Sequence, residues 1–418
     1  MPSMLRAVLS PRMGLCVLLG FSSGLPFYVI ESLIPVWLAD RGIELSTIGA
    51  LAFLSLPYSL KFLWAPLLDR YAPAGLGRRR AWALGCQAVL LAAIAAIGLC
   101  APERTLLPLI ALCFVVALAS ATQDVALDAY RREILEDAEL GLGSSLFVQA
   151  YRVSILVPGS LGLVLSESGV SWALVFAVVA GGMTVGLGTS LLMPEPRVET
   201  RPSRTLLDDV VASLEEFASR AGDGGRQALT ILAFIVLYKL GDVMATTLIK
   251  PIYLELGFSK GEIAQAVPVG TAAAIVGSLF GGLVMLRLGI NRALWVFGVV
   301  QMASILGFAV LASSAPDLRL LMGVVTFEYL GVGLGTAAFV AFIARETDRR
   351  FTATQFALFT SVAALPRTGM RATAGVLVES VGYVPFFLIC TLLAIPGMLL
   401  LPRVAPWSGL PPEHDQDR

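Results

Sequence analysis

Eleven charged side chains fall inside stretches of the sequence that are otherwise apolar: Glu31, Lys61, Asp124, Asp128, Arg152, Lys239, Asp242, Lys250, Glu328, Arg367 and Arg371. A charge at the centre of a membrane-spanning helix costs about 2.5–3.5 kcal/mol on insertion scales, so each needs a partner or a task. Asp124 and Asp128, preceded by Gln123, are four apart and share one helix face. Two carboxylates that close resist ionising together and suit the holding of one proton. The alternative for Asp128 is a pair with Arg131 or Arg132 near a helix end. Lys239 and Asp242, three apart, either pair with each other or contact a ligand. Arg152 sits too deep to reach water easily, and its permanent charge suits an anionic ligand. Lys61 is closer to a membrane surface. Glu328 precedes the small-residue run Gly331-Val332-Gly333-Leu334-Gly335, which permits close helix contact.

The elements that must hold these charges are long and apolar. Of 418 residues, 57% are hydrophobic and 14% charged; a soluble domain has about 45–50% and about 25%. Mean hydropathy is +0.81. About 20 apolar residues span a membrane. About twelve segments qualify, at 13–38, 46–68, 81–100, 106–130, 142–166, 171–193, 229–254, 262–286, 292–313, 318–344, 353–379 and 383–402. The expected organisation is a six-helix bundle over 1–193, a linker over 194–228 with an amphipathic helix near 206–217, a second six-helix bundle over 229–402, and a tail over 403–418. The fold class is an all-α membrane protein. An offset of roughly 215 superimposes Arg152 on Arg367, as a parallel repeat of two halves does.

Twenty arginines fall on the termini and alternate loops, against Arg41, Arg104, Lys260 and Arg319 on the others. This asymmetry predicts that both termini and the linker are cytoplasmic. The loop Asp69-Arg70…Arg78-Arg79-Arg80 lies on that side. Its charges can latch neighbouring helix ends and act as a gate; the alternative is a plain positive anchor.

Other chemistry is excluded. The one histidine is His414, in the polar tail, so no histidine metal site or triad lies in the apolar body. Five cysteines form no CxxC pair. Thirty basic residues balance thirty acidic ones, which offers no field for nucleic acid. No metal, no cofactor and no enzymatic activity are expected.

Several stretches together resemble one family: Gly20-Phe21-Ser22-Ser23-Gly24-Leu25-Pro26, Lys61-Phe62-Leu63-Trp64-Ala65-Pro66-Leu67-Leu68-Asp69-Arg70-Tyr71, Gly77-Arg78-Arg79-Arg80, Ala121-Thr122-Gln123-Asp124 with Asp128-Ala129, Tyr151-Arg152, Leu237-Tyr238-Lys239-Leu240-Gly241-Asp242, Phe327-Glu328, Gly335-Thr336-Ala337-Ala338 and Ala353-Thr354-Gln355-Phe356. From about Gly20 to about Leu401 the sequence resembles the AmpG-like anhydromuropeptide permeases of the major facilitator superfamily. The resemblance implies a monomeric, multi-pass permease of a bacterial inner membrane. It would import N-acetylglucosaminyl-anhydro-N-acetylmuramyl peptides from periplasm to cytoplasm by proton symport, feeding peptidoglycan recycling and, in some bacteria, β-lactamase induction. The resemblance makes Gln123, Asp124, Arg152, Lys239, Asp242, Glu328, Gln355 and Arg367 look like pocket and coupling positions. Together with the charge pattern above, the expected cargo contacts are Gln123, Arg152, Lys239, Asp242, Gln355 and Arg367, the expected proton-coupling residues Asp124, Asp128 and Glu328, and, from the loop charges alone, the expected gate Asp69, Arg70, Arg78 and Arg79. Glu31 and Pro35 depart from the family, which is usually neutral at the first position and carries glutamine at the second. The other readings are a related carrier of acetyl-CoA, a siderophore or a drug, and a muropeptide sensor that moves nothing. One charge falling through 100 mV supplies about 2.3 kcal/mol, roughly 50-fold accumulation.

Overall fold

The computed structural model describes residues 10–44, 51–196, 205–219, 225–247 and 249–408, with some side chains, among them those of 365–372, outside that description. Among the described residues every regular element is helical. In a bilayer each backbone N–H and C=O must be satisfied within its own segment, and apolar runs of this length meet that demand as helices. Nine helices among the described residues are long and apolar enough to cross a membrane, and one of them, Gly261–Ser313, holds two spans. Its helix breaks at Gly289, whose φ of 72° favours glycine. A broken second span and a more polar eleventh, Thr352–Val381, complete the twelve.

The second span departs from the uninterrupted helix expected over 46–68. Residues 45–50 lie outside the description. The rest is a chain of short turns: Leu51–Ser55, Leu56–Leu60, Lys61–Leu63 and Ala65–Arg70. Pro57 and Pro66 each open a fresh α turn, because proline has no N–H to continue the preceding ladder.

The first span, Pro11–Asp40, starts cleanly. Ser10 Oγ accepts from Met13 N at 3.4 Å, and Pro11 takes the first helical position. It then widens into a π turn over Val29–Leu33. Pro35 cannot donate to the carbonyl of Glu31, so the ladder loses one regular bond there. The fifth span, Leu140–Glu167, carries a second π turn at Leu156–Leu161 around Pro158, and the two widened turns pack together. A Cβ on Gly24 would strike the Tyr151 carbonyl, so the first and fifth spans touch backbone to backbone. In the second half a Cβ on Gly333 would strike the Ala274 carbonyl, which assigns the glycine run after Glu328 a packing duty.

The chain divides into two units. The first comprises Met1–Glu136, Leu146–Ser213 and Thr347–Ser361; the second comprises Asp137–Ser145, Leu214–Glu346 and Val362–Arg418. Inside the first, Trp37, Trp172 and Phe176 anchor an apolar core, with the Trp37 and Phe176 rings 5.0 Å apart. Inside the second, Phe308, Phe386 and Phe387 do the same, with the last two 5.2 Å apart. The amphipathic linker helix runs Leu206–Ser219.

Candidate functional site

Three polar clusters among the described residues contain the residues expected at the site. The first unit holds two of them.

One cluster gathers at the end of the second span. Asp69 accepts from the backbone N–H groups of Ala353 (3.1 Å) and Thr354 (2.8 Å) and from Thr354 Oγ1 (2.7 Å). These are the first turns of Thr352–Val381, whose helix dipole favours an anion at that end. Arg79 is fully buried. Its Nη2 donates to Asp69 at 2.7 Å and to Glu133 at 2.6 Å, and its Nη1 donates to the Leu68 carbonyl at 3.0 Å. Arg78 adds bonds to the Asp69 carbonyl (2.9 Å) and Glu133 (3.0 Å). Thr352 Oγ1 closes the network onto Glu133. Glu195 accepts from the N–H groups of Arg79 (2.8 Å) and Arg80 (3.0 Å), capping the third span, Arg78–Ile97. Arg70 pairs with Asp209 of the linker helix. The geometry therefore brings Asp69, Arg78 and Arg79 into one network, whereas Arg70 turns to the linker helix.

Sequence alone does not single out Glu133, Thr352, Thr354, Glu195 and Asp209. Glu133 carries a signal, an acid directly after Arg131-Arg132 at a helix end, and Thr352 and Thr354 stand where a helix N-terminus wants hydroxyls.

Gln355 departs from its expected place in a cargo pocket. Its Oε1 accepts from Asp348 N at 2.8 Å and its Nε2 donates to the Ser213 carbonyl at 3.2 Å. Both ends of the amide are taken by backbone, so the side chain ties the start of the eleventh span to the linker helix.

The second cluster lies within the first unit, on the fourth span, Leu107–Ile134. Asp124 is buried and accepts from Ser23 Oγ on the first span. Gln123 is fully buried, and its Nε2 donates to the Ser22 carbonyl at 3.0 Å. Asp128 takes the cations: Arg131 Nη2 at 3.0 Å and Lys61 Nζ at 3.8 Å. This pairing favours a structural place for Asp128 over a share in a common proton with Asp124. Beside the cluster stand four aromatic rings, with Phe27 5.4 Å from Tyr28 and 5.3 Å from Tyr58, and Tyr28 5.8 Å from Tyr151. Arg152 is half-buried within electrostatic reach of Tyr28.

The third cluster belongs to the second unit. Lys239, in the turn between the helices Arg226–Leu237 and Leu240–Thr247, places its Nζ 2.8 Å from Asp242 Oδ2. Glu328, on the tenth span, Leu318–Glu346, is fully buried and accepts from Ser304 Oγ. The Lys250, Arg367 and Arg371 side chains lie outside the described residues. No group of three or more His, Cys, Asp or Glu among the described residues is arranged to hold a metal.

Comparison with known proteins fits this arrangement. Residues 16–369 match the family model of the Major Facilitator Superfamily. The chain is 38% identical over 399 residues to the anhydromuropeptide permease of Escherichia coli K12, covering 95% of this chain and 80% of the relative. It is 46% identical over 410 residues to an uncharacterized protein of Haemophilus influenzae, covering 96% of both. Among solved structures, the Major Facilitator Superfamily transporter FucP in the outward conformation superposes with a TM-score of 0.72 at 14% identity, covering 96% of this chain and 99% of that one. The chain belongs to the major facilitator superfamily and, within it, to the AmpG-like permeases. It is a multi-pass membrane transporter and not an enzyme.

Proposed function

We propose that the protein is a proton-coupled symporter that carries anhydromuropeptides from periplasm to cytoplasm across a bacterial inner membrane, with both termini cytoplasmic. One observation carries the cargo: the alignment with the anhydromuropeptide permease runs through 95% of the chain. The first unit supplies chemistry suited to such a glycopeptide, four clustered aromatic rings for its apolar faces and Arg152 for a carboxylate. The proton-coupling reading rests on Asp124, which is buried and has no cation within ion-pair distance among the described residues. The gating reading rests on the Asp69 network. Cargo, protons and lipid are the partners, and the working unit is a monomer.

A second reading keeps the fold and changes the cargo to another organic anion. Glu31 favours it. Exposed on the widened turn of the first span, it lines a cavity of about 80 Å³ together with Ile30, Ile34, Pro35, Leu51 and Leu54. Direct binding of labelled anhydromuropeptide and of a coenzyme A thioester to the purified protein separates the two. The first reading expects saturable binding of the glycopeptide alone.

Arg152→Ala is expected to weaken binding of acidic muropeptides by about 1.5–3 kcal/mol, the range of a charge-assisted hydrogen bond. Neutral sugar analogues should lose far less. Equal losses for both would assign Arg152 to structure instead.

Orientation follows from the twenty-to-four asymmetry of basic residues. Reporter fusions after Arg204 and at the C-terminus are both expected to read cytoplasmic, and a periplasmic signal from either would overturn the topology.

A further inference from the structure

Asp124 has a single hydrogen bond among the described residues, from the Ser23 hydroxyl of the first span. Both side chains are buried. The cations of the cluster, Lys61 and Arg131, stand on Asp128 instead. A carboxylate withdrawn from water is costly unless something compensates its charge. Among the described residues, the Ser23 hydroxyl is the donor placed to do so when Asp124 gives up its proton.

The fold holds that hydroxyl from several sides. Its neighbour Ser22 is fully buried. The Ser22 carbonyl accepts from Gln123 Nε2 at 3.0 Å, and Ser22 Oγ accepts from Gln87 Nε2 of the third span at 3.4 Å. A Cβ on Gly20 would strike the Phe147 carbonyl of the fifth span, as one on Gly24 would strike that of Tyr151. The stretch from Gly20 to Gly24 is thus pinned to the third, fourth and fifth spans, and Ser23 has little room to leave Asp124.

The bond differs in strength between the two protonation states. Ser23 donates to Oδ1, which keeps a lone pair whether or not Oδ2 carries a proton. The contact exists in both states, but a hydrogen bond to an ionised acceptor is roughly twice as strong as one between neutral groups. A partner that binds one state more tightly shifts the equilibrium toward that state. Ser23 therefore favours release of the proton. By the same linkage, release tightens the first span against the fourth. Phe27 and Tyr28 follow about one turn after Ser23 on that span, so the tightening acts on a segment that carries two of the clustered rings.

We propose that Ser23 is the positioning residue of Asp124, a donor that eases proton release and links it to the seating of the first span. Its part in transport rests on the symport reading above; its effect on Asp124 does not. The other titratable or charged groups facing Asp124 are Lys61 and Tyr58 of the second span, Cys86 of the third, Asp128 and Arg131 of the fourth and Tyr151 of the fifth. All of them remain in a Ser23 variant, so a change in titration reports the hydroxyl.

Infrared difference spectra of the purified full-length protein, titrated without cargo, test this. Wild type minus Asp124→Asn isolates the carboxyl band of Asp124. Ser23→Ala is expected to raise the pH at which that band is half lost by about one unit, the difference between a hydrogen bond to a charged and to a neutral acceptor. Ser23→Cys nearly keeps the volume with a weaker donor and should raise it by less. It also decides the matter if Ser23→Ala does not fold. Gln87→Met breaks the bond to Ser22 and none to Asp124, so it loosens the same span and should leave the titration where it was. No shift in either Ser23 variant, or an equal shift in Gln87→Met, would overturn the proposal. So would an Asp124 carboxyl that does not titrate. In proteoliposomes the pH profile of gradient-driven accumulation should move in the same order. Shifted spectra without muropeptide uptake would refute the symport reading and leave Ser23 its role; gradient-driven uptake with unshifted spectra would do the reverse.

Discussion

Proteoliposomes carrying Asp124→Asn are expected to exchange labelled muropeptide across the membrane yet fail to concentrate it when a pH gradient is imposed. Asparagine keeps the shape of a protonated aspartic acid and removes the proton that can leave. The Ser23 hydroxyl still has an oxygen to donate to, so the contact between the first and fourth spans survives. The nearby cations already belong to Asp128, and the substitution strands no positive charge. Accumulation driven by the imposed pH gradient should fall to about unity, because a permanently neutral side chain cannot release the proton that the gradient drives. Continued accumulation by this variant would move coupling to Glu328.

The next largest effect is expected at Asp69. Asp69→Asn removes the charge that Arg79 and the start of the eleventh span share. Breaking one side of a buried ion pair costs about 3–5 kcal/mol, because the remaining charge stays buried. Glu133 still pairs with Arg79, which moderates the loss. The network is made among the helix ends and touches no cargo contact named above, so the change acts on the balance between access states. Turnover should fall by at least roughly tenfold, equivalent to about 1.4 kcal/mol, with the cargo dissociation constant little changed. A double-mutant cycle with Arg79→Ala should show coupling of about 0.5–3 kcal/mol. A large loss of affinity at normal turnover would contradict the gating role.

The spans are legible in the sequence because hydropathy is a property of contiguous residues. The second span reads there as one helix, although Pro57 and Pro66 are in view, because apolarity alone does not report where the hydrogen-bond ladder stops. The widened turn at Val29–Leu33 is likewise hidden behind Pro35. In the candidate site, charges within one or two turns of each other are readable: Lys239 with Asp242, and Asp128 with Arg131. Partners brought together by the fold are not. Asp69 meets Thr354 across 285 residues, and Arg79 meets Glu133 across 54. Gln355, expected in the cargo pocket from the resemblance, shows a further limit: its amide serves two backbone groups whose positions depend on tertiary structure.

The most direct measurement is uptake of labelled anhydromuropeptide into vesicles loaded with the purified protein, with the pH gradient imposed and then collapsed by a protonophore. The proposed symport predicts accumulation above the external concentration that depends on the gradient and drains when it is removed. Uptake no greater than in protein-free vesicles, or accumulation unchanged by the protonophore, would contradict it.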